Sequence, residues 1–576
     1  MELILTDLIY KACLEVQDKH YVNFNLKETS IIIEKPKLAS HGDFSCGIAF
    51  KLAGQLKKSP LEIAKLIYET IAKQTIGKLL EGISVTSPGY LNFTVSKLYL
   101  YQILKEILEQ PNNYGRGQNQ SSVLIEYVSA NPTGPLHIGH ARNAVFGSCL
   151  ANLLKYAGYQ VEEEFYINDT GQQIIKLGQS LLVCYKRQLG LSNYNYAIDS
   201  YPEWLLLEPI QQIIEEHDQE LVNLTDIEIS DKLATLFMDI TINNQKAELN
   251  SLKIEFNTWY SEKTLHDSGK IKDMLKLLAA NNQTYESEGA IWLKSKELGD
   301  ERDRVLVKSN NHLTYLATDA TYHLDKFKRG FDYIINIWGS DHHGQVPSLK
   351  AILKALNCDI NKFSVILTQM VNLSKNGEIV RMSKRMGTVI TLKEVIDEVG
   401  ADATRYFLIE SSPNNAVNFD LELAKKASSE NPVFYIQYAY ARMSSILRKA
   451  TNLSPDFDFF NLPSEQIYLK CNKKNTLFAH LFDDNGENYT LHKKLILKLA
   501  SFKNLITEAS QSQQPHKIAH YAYDLANDLQ KFYETAKVLN IDDLNQSLDR
   551  LLFILAVRTV LANCLIILGL NTPEKM

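Results

Sequence analysis

No two of the seven cysteines stand in a C-x-x-C pair. Cys13, Cys46, Cys149, Cys184, Cys358, Cys471 and Cys564 are scattered and odd in number. Thiolate zinc sites and disulfide frameworks need clustered spacing, so neither is expected, and the thiols read as small buried hydrophobes. No uninterrupted apolar run reaches the ~18 residues of a membrane span. The nearest case, TVLANCLIILGL after Arg558, reads as a buried bundle helix. The opening MELILTDLIYKAC has no basic flank and no pure apolar stretch. Glu2 and Asp7 interrupt it, which fits an amphipathic helix and not a signal peptide. Charge of one sign is also missing: 61 Lys and Arg against 67 Asp and Glu leave a net −6. Composition alone therefore suggests no nucleic-acid partner, and any RNA would need local basic patches. No internal repeat or low-complexity tract is present.

What remains is an ordinary folding composition, 45% hydrophobic and 22% charged, over 576 residues. Single cores stop growing at about 250–300 residues, so several domains are expected. Residues 1–110 read as a small N-terminal α+β unit, closing on two short strands around Ser87-Pro88-Gly89. Polar, turn-rich PNNYGRGQNQ follows as a linker. Residues 111–420 alternate strand and helix, the pattern of a parallel α/β sheet of Rossmann type. A mostly helical insertion is expected at about 172–285, with the sheet resuming at VLVKS. Strands should disappear after about 410, leaving residues 421–576 as an all-α bundle.

Two motifs carry chemistry. SANPTGPLHIGH (129–140) follows a strand and opens a helix, with Pro132, Gly134 and Pro135 bending the chain between them. His137 and His140 are three apart and so share a face of the first helical turn. Free N–H groups and the positive dipole end point the same way, which suits phosphate, and Gly139 leaves room for a nucleotide at the backbone. A lone H-x-x-H fits two structural histidines equally well; the proline–glycine elbow at a strand-to-helix switch is what sets this one apart. RMSKRMG (381–387) follows a hairpin predicted at Asn376-Gly377. Arg381, Lys384 and Arg385, with a small hydroxyl and a glycine, suit a loop closing on polyphosphate; alone, they fit a solvated basic loop just as well.

Together the two motifs resemble the HIGH and KMSKS elements of class I aminoacyl-tRNA synthetases. SANPTGPLHIGH, YINDTGQQI, WGSDHHGQVP and HYAYDLANDLQKFYE resemble the arginyl-tRNA synthetase family in particular, and the likeness covers nearly the whole chain. Arg381 stands where the general pattern has lysine, keeping the charge. The resemblance implies an ATP-consuming ligase that forms arginyl-adenylate and passes arginine to the 3′-terminal ribose of its tRNA, with tRNA present even for the first step. It implies catalytic roles for His137, His140 and Lys384. ATP would be held by His137, Gly139, His140, Met382, Ser383, Lys384 and Arg385. Arginine would be read by Glu126, Asn131, Tyr315, Asp319 and His342. Tyr315 and Asp319, four apart, are expected on one helix face. Without the family, Glu126 reads equally as a strand-end charge, and Tyr315 and Asp319 as a half-buried helix face.

For RNA, the helix in NPVFYIQYAYARMSSILRKA should bury Val433, Ile436, Tyr440, Met443 and Leu447. Tyr435, Tyr438 and Arg442 on another face interleave rings with charge, which suits unstacked bases; an exposed polar face is the bland alternative. By resemblance these three, with Tyr533 and Met576, meet the anticodon loop, and Tyr90 and Asn92 of the N-terminal unit meet the D-loop region. Magnesium is expected with the ATP, and no protein-bound zinc or other metal. A cytoplasmic monomer with no membrane partner is expected. The alternatives are a class I ligase for another amino acid and a non-catalytic tRNA-binding paralogue. For the first, cysteine would need a zinc-thiolate site that the scattered cysteines do not supply. The second usually has HIGH or MSKR damaged, and both stand intact here.

Overall fold

A computed structural model describes residues 1–19, 30–72, 79–191, 194–221, 224–380, 390–453, 459, 462–471, 478–482, 487–540 and 544–576. At its centre lies a five-stranded sheet in the order Phe363–Thr368, Tyr333–Gly339, Ser122–Glu126, Gln160–Ile167, Thr258–Ser261. Every pairing in it is parallel. The central strand, SVLIE, is buried along almost its whole length. A continuous apolar run of this kind forms where helices cover both faces of a sheet. The chain enters the sheet at its middle, builds outwards to one edge, then returns to build the other. The order therefore reverses between Ser122–Glu126 and Tyr333–Gly339, and a crevice opens beyond their carboxyl ends.

The helix Ile138–Tyr156 leaves that crevice and runs back along the sheet, buried on most sides. Small residues permit the close fit. A Cβ at Gly147 would lie 2.3 Å from the Tyr127 ring, so no larger residue fits without moving the strand end. Two buried guanidinium groups then tie the layers together. Arg142 donates to the carbonyls of Ser412 (3.0 Å) and Asn415 (2.7 Å). Arg405 donates to those of Leu568 (2.8 Å) and Leu252 (2.7 Å), joining the C-terminal bundle to the catalytic unit. Backbone carbonyls replace part of the water each charge loses, although burial still pulls the Arg142 guanidinium down to about 10.

The N-terminal unit is a four-stranded antiparallel sheet, ordered Ile33–Glu34, Phe44–Cys46, Tyr90–Val95, Leu80–Thr86, with helices against it. The helical insertion holds Gln172–Gln188, Glu203–Leu221 and Asp226–Ser251 around its own core of Leu177, Leu181, Ile210, Leu233 and Phe237. The bundle contains Pro432–Leu453, Glu487–Gln511, His516–Thr535 and Leu544–Leu568 among other helices. Val433, Ile436, Tyr440, Met443 and Leu447 are all buried, as helical spacing requires.

Four expectations need correction. The parallel sheet takes an edge strand, Thr258–Ser261, from within the stretch read as insertion. TWYS is short and half-buried, so it carries no clear alternation. VLVKS instead joins a separate antiparallel sheet of Thr284–Ser287, Ala290–Leu293 and Arg304–Val307. Strands do not end at 410: Val417–Asp420 pairs in parallel with Val371–Lys375. Lastly, the apolar stretch near the C-terminus is longer than twelve residues. Gln546–Leu568 is long and apolar enough by length and composition to cross a membrane, yet 78% of its most apolar window is buried. It packs against Lys97–Glu109, Ile138–Tyr156 and neighbouring bundle helices.

Candidate active site

The crevice at the strand-order reversal is a cleft of about 810 Å³. Its floor is the elbow between the central strand and the helix Ile138–Tyr156. Two non-glycine residues there, Val128 (φ 68°) and Ser129 (φ 42°), have left-handed backbone, which is strained for a β-branched side chain. The surroundings hold them in place. Ser129 Oγ donates to Glu126 Oε1 (2.8 Å) and accepts from the Tyr166 N–H (3.2 Å).

His137 is the N-cap of the helix. Its Nδ1 accepts the Gly139 N–H at 3.1 Å, and its own N–H is accepted by His140 Nδ1 at 3.3 Å. The rings stack with centroids 3.7 Å apart and planes 20° from parallel. With both Nδ1 atoms accepting, each neutral imidazole carries its proton on Nε2, a donor suited to a phosphate oxygen at a helix mouth. Gly139 has a different reason from the one the sequence suggests. A Cβ there would sit 3.0 Å from His137 Cε1 and 3.1 Å from Nδ1, so glycine makes room for the histidine ring. Gly139→Ala is expected to tilt His137 out of register and lower kcat about tenfold, with the fold intact. Rapid-quench assay of adenylate formation, beside a thermal melt, checks this.

The cationic loop lies outside the described residues, so Met382, Ser383, Lys384 and Arg385 have no described position, nor has Arg381. Both its flanks are described. The hairpin before it turns at Asn376 (φ 54°) and Gly377 (φ 79°), the paired left-handed residues of a type I′ turn. After the loop, Thr391 forms an antiparallel bridge with His137, and the Leu392 N–H donates to the Leu136 carbonyl at 2.8 Å. The far end of the loop is thus fixed to the histidine elbow.

The opposite wall of the cleft is acidic. Glu126, buried at the strand end, forms an ion pair with Lys326, whose Nζ also reaches Asn336 Oδ1 at 3.0 Å and lies 4.3 Å over the Tyr322 ring. Asp319 lines the same wall. Burial first, then the neighbouring Glu126 and Glu262, push its carboxyl up to about 7. No described residue bonds its side chain. Glu262 accepts from the Tyr166 hydroxyl at 2.9 Å. His323 is held between the Asp319 carbonyl (2.7 Å) and Asn336 Nδ2 (2.7 Å), and burial keeps it far below its usual range, hence neutral. Lys326 is thus taken by Glu126, and Glu262 by Tyr166 and Thr170, which leaves the Asp319 carboxyl without a side-chain partner among the described residues.

Asn131 sits on the elbow and donates to Gln173 Oε1 at 3.0 Å. His342 lies beside Trp338 (6.0 Å between ring centroids), its Nδ1 3.3 Å from Gln345 Oε1, and lines the cleft with Asp319. Tyr315 does not join them. It is the first residue of the helix Tyr315–Lys328, 76% exposed and away from the cleft lining. Side chains tilt towards a helix N-terminus, so one in the first position projects past the end of the helix. Lys326, Tyr166 and Glu262 were missed from the sequence. Asp319, Tyr322, His323 and Lys326 follow i, i+3, i+4, i+7, the signal that could have found the lysine.

On the bundle, Tyr438 is 45% exposed and stacks on Phe434 at 6.2 Å. Tyr435 packs on Tyr523 at 5.6 Å. The Arg442 guanidinium lies 4.3 Å over the Tyr533 ring and donates to Gln530 Oε1 at 2.9 Å. Met576 is exposed. In the N-terminal unit Tyr90 is exposed against Phe50, but Asn92 is 2% exposed and donates to Thr86 Oγ1 at 2.9 Å. Asn92, expected to meet RNA, thus lies in the middle of the sheet, between Ser45 and Ser84, with its side chain shielded from solvent.

Family models match the chain along its length: an arginyl-tRNA synthetase N-terminal domain over 4–95, a class I (R) tRNA synthetase catalytic domain over 103–444 and a DALR anticodon-binding domain over 436–576. An arginine–tRNA ligase of Oceanobacillus iheyensis is 38% identical over 95% of this chain and 94% of its own. One from Caldanaerobacter subterraneus is 38% identical over 99% of this chain and 98% of its own. The arginyl-tRNA synthetase structure from Thermus thermophilus shares the fold at a TM-score of 0.73, with 21% identity and full coverage of both chains. The chain belongs to the arginine–tRNA ligase family of class I aminoacyl-tRNA synthetases.

Proposed function

We propose that one cleft serves both halves of arginine–tRNA ligation, with ATP at its histidine end and the guanidinium of arginine at its acidic end. The arginine carboxylate attacks the α-phosphorus of ATP. The bond to the β-phosphate bridging oxygen breaks, and pyrophosphate leaves. The 2′-hydroxyl of the terminal ribose of tRNA then attacks the acyl carbon, losing its proton as AMP departs. No protein side chain bonds covalently to the substrate, so the residues act by placement and charge. His137 and His140 donate from Nε2 to the phosphates, Gly139 admits the His137 ring, and Lys384 with Met382, Ser383 and Arg385 covers the leaving pyrophosphate. Asp319 takes the guanidinium, Glu126 stands beside it held by Lys326, and Asn131 and His342 orient the backbone end. Magnesium would enter with the nucleotide and offset the charge of its phosphates. On the resemblance the chain acts as a cytoplasmic monomer.

The observation that carries this reading is the unpartnered carboxyl of Asp319 in the cleft that the histidine pair also lines. A guanidinium is always charged and binds the ionised acid. Asp319, raised to about 7, must give up its proton below that pH. Arginine affinity should therefore be flat above neutrality and weaken by up to about tenfold for each unit below it. Calorimetric titration of arginine from pH 5.5 to 8.5 tests this, and a flat profile would rule out Asp319 as the receptor.

For the RNA, Tyr438, Tyr435 and Arg442 form the anticodon-side face, joined by Tyr533 and Met576, and Tyr90 serves the N-terminal contact. Tyr438→Ala removes an exposed stacking ring. It is expected to raise the KM for tRNA about tenfold, since one base–aromatic stack is worth about 1–3 kcal/mol. The KM for arginine should stay put. Steady-state aminoacylation checks both, and an unchanged tRNA KM would remove this face from the interface.

A further inference from the structure

The elbow that carries His137 is short of donors of its own. Pro132 and Pro135 have no N–H, and its carbonyls need donors from elsewhere. The helix Asp226–Ser251 of the insertion supplies them from behind the cleft. Gln245 is buried, and its side-chain amide donates to the carbonyls of Gly134 at 3.0 Å and Asn131 at 3.3 Å. One helical turn on lies Glu248, whose ionised form the backbone N–H of Leu136 favours. The carbonyl of that same Leu136 takes the N–H of Leu392, the first residue of the helix that follows the cationic loop.

Glu248 faces that helix as well. Its Oε2 is buried with no hydrogen-bond partner, and the Lys393 ammonium is the cation whose field it feels. Both line a cavity of about 660 Å³ between the insertion and the helix Leu392–Val399. Burial nevertheless raises Glu248 to about 7, so a near-neutral acid sits at the junction. Neither Gln245 nor Glu248 lines the cleft itself.

We propose that Gln245 and Glu248 are positioning residues for adenylate formation: they fix the elbow so that His137 meets the triphosphate, and they bind the insertion helix to the anchor of the cationic loop. The proposal rests on the ligation reading above. A placement role predicts a loss in kcat without a loss in arginine binding, because the acidic wall is untouched. It also predicts that an amide at 248 suffices, since it keeps the shape and a polar oxygen at the junction.

The test is arginine-dependent ATP–pyrophosphate exchange, with tRNA present, on the full chain and on Glu248→Leu, Glu248→Gln and Gln245→Leu, each with a thermal melt. Glu248→Leu and Gln245→Leu should lose about 10- to 100-fold in kcat, with the KM for arginine unchanged. Glu248→Gln should work close to the unaltered chain. Unchanged kcat in both leucine variants would overturn the proposal, as would a KM for arginine that rises in step or a loss that Glu248→Gln shares. If the unaltered chain shows no arginine-dependent exchange, the ligation reading falls first and the positioning role falls with it.

Discussion

Asp319→Asn is expected to raise the KM for arginine by about two orders of magnitude and to leave the KM for ATP where it was. The substitution keeps shape and volume and removes only the charge. Truncating one side of a buried charge pair costs about 2–5 kcal/mol, much of it the penalty of leaving the other charge unmatched. The neighbouring carboxylate cannot take over, because Glu126 is already committed to Lys326 and Ser129. Citrulline, which lacks the charge, should lose its disadvantage against arginine in the variant, since a site built for a charged donor discriminates through the groups it would leave unpaired. Competition of the two ligands in the exchange reaction checks this. Equal losses for arginine and ATP would indicate a damaged fold, and an unchanged arginine KM would move the receptor elsewhere.

Lys384→Ala is expected to lower kcat for adenylate formation by about 10²–10³-fold while arginine binds as before. That is the usual size of removing one preorganised charge from a transition state. Lys384 lies outside the described residues, but the chain is anchored on either side of it. The Val380 N–H is bonded to the Leu373 carbonyl (2.9 Å), and Thr391 is bridged to His137. The nine residues 381–389 join these two anchors, one of them at the histidine elbow, and nine residues span at most about 32 Å. Single-turnover kinetics with saturating arginine measure the effect. Unchanged turnover would remove the leaving-group role, and weaker arginine binding would place the lysine at the wrong end of the cleft.

Much of this was legible because local chemistry and global topology agree. The elbow is written in SANPTGPLHIGH by its prolines and glycines, and the I′ turn in Asn376-Gly377 by residues that tolerate left-handed backbone. The core face of Pro432–Leu453 is written in helical spacing. The rest depended on contacts between distant segments. Lys326 meets Glu126 only after two hundred residues of chain have folded, so no local pattern announces that Glu126 is already paired. Thr258–Ser261 is a strand because Gln160–Ile167 offers it an edge, not because TWYS alternates. Tyr315 shares a helix face with Asp319, but the spacing could not say that the helix begins at Tyr315 itself and so leaves its ring beyond the cleft. Asn92 was named from the resemblance alone, and a sequence does not show that its strand lies inside the sheet with the side chain buried. Gly139 was read as room for a nucleotide at the backbone, whereas the group the structure places against it is the His137 ring.

The most direct measurement is ATP–pyrophosphate exchange by the full chain, with tRNA present, offered each of the twenty amino acids in turn at neutral pH. Exchange with arginine alone is the predicted result, lost in Lys384→Ala and shifted to far higher arginine concentrations in Asp319→Asn. Exchange supported by a different amino acid, or by none, would contradict a cleft built to hold a triphosphate at one end and a guanidinium at the other.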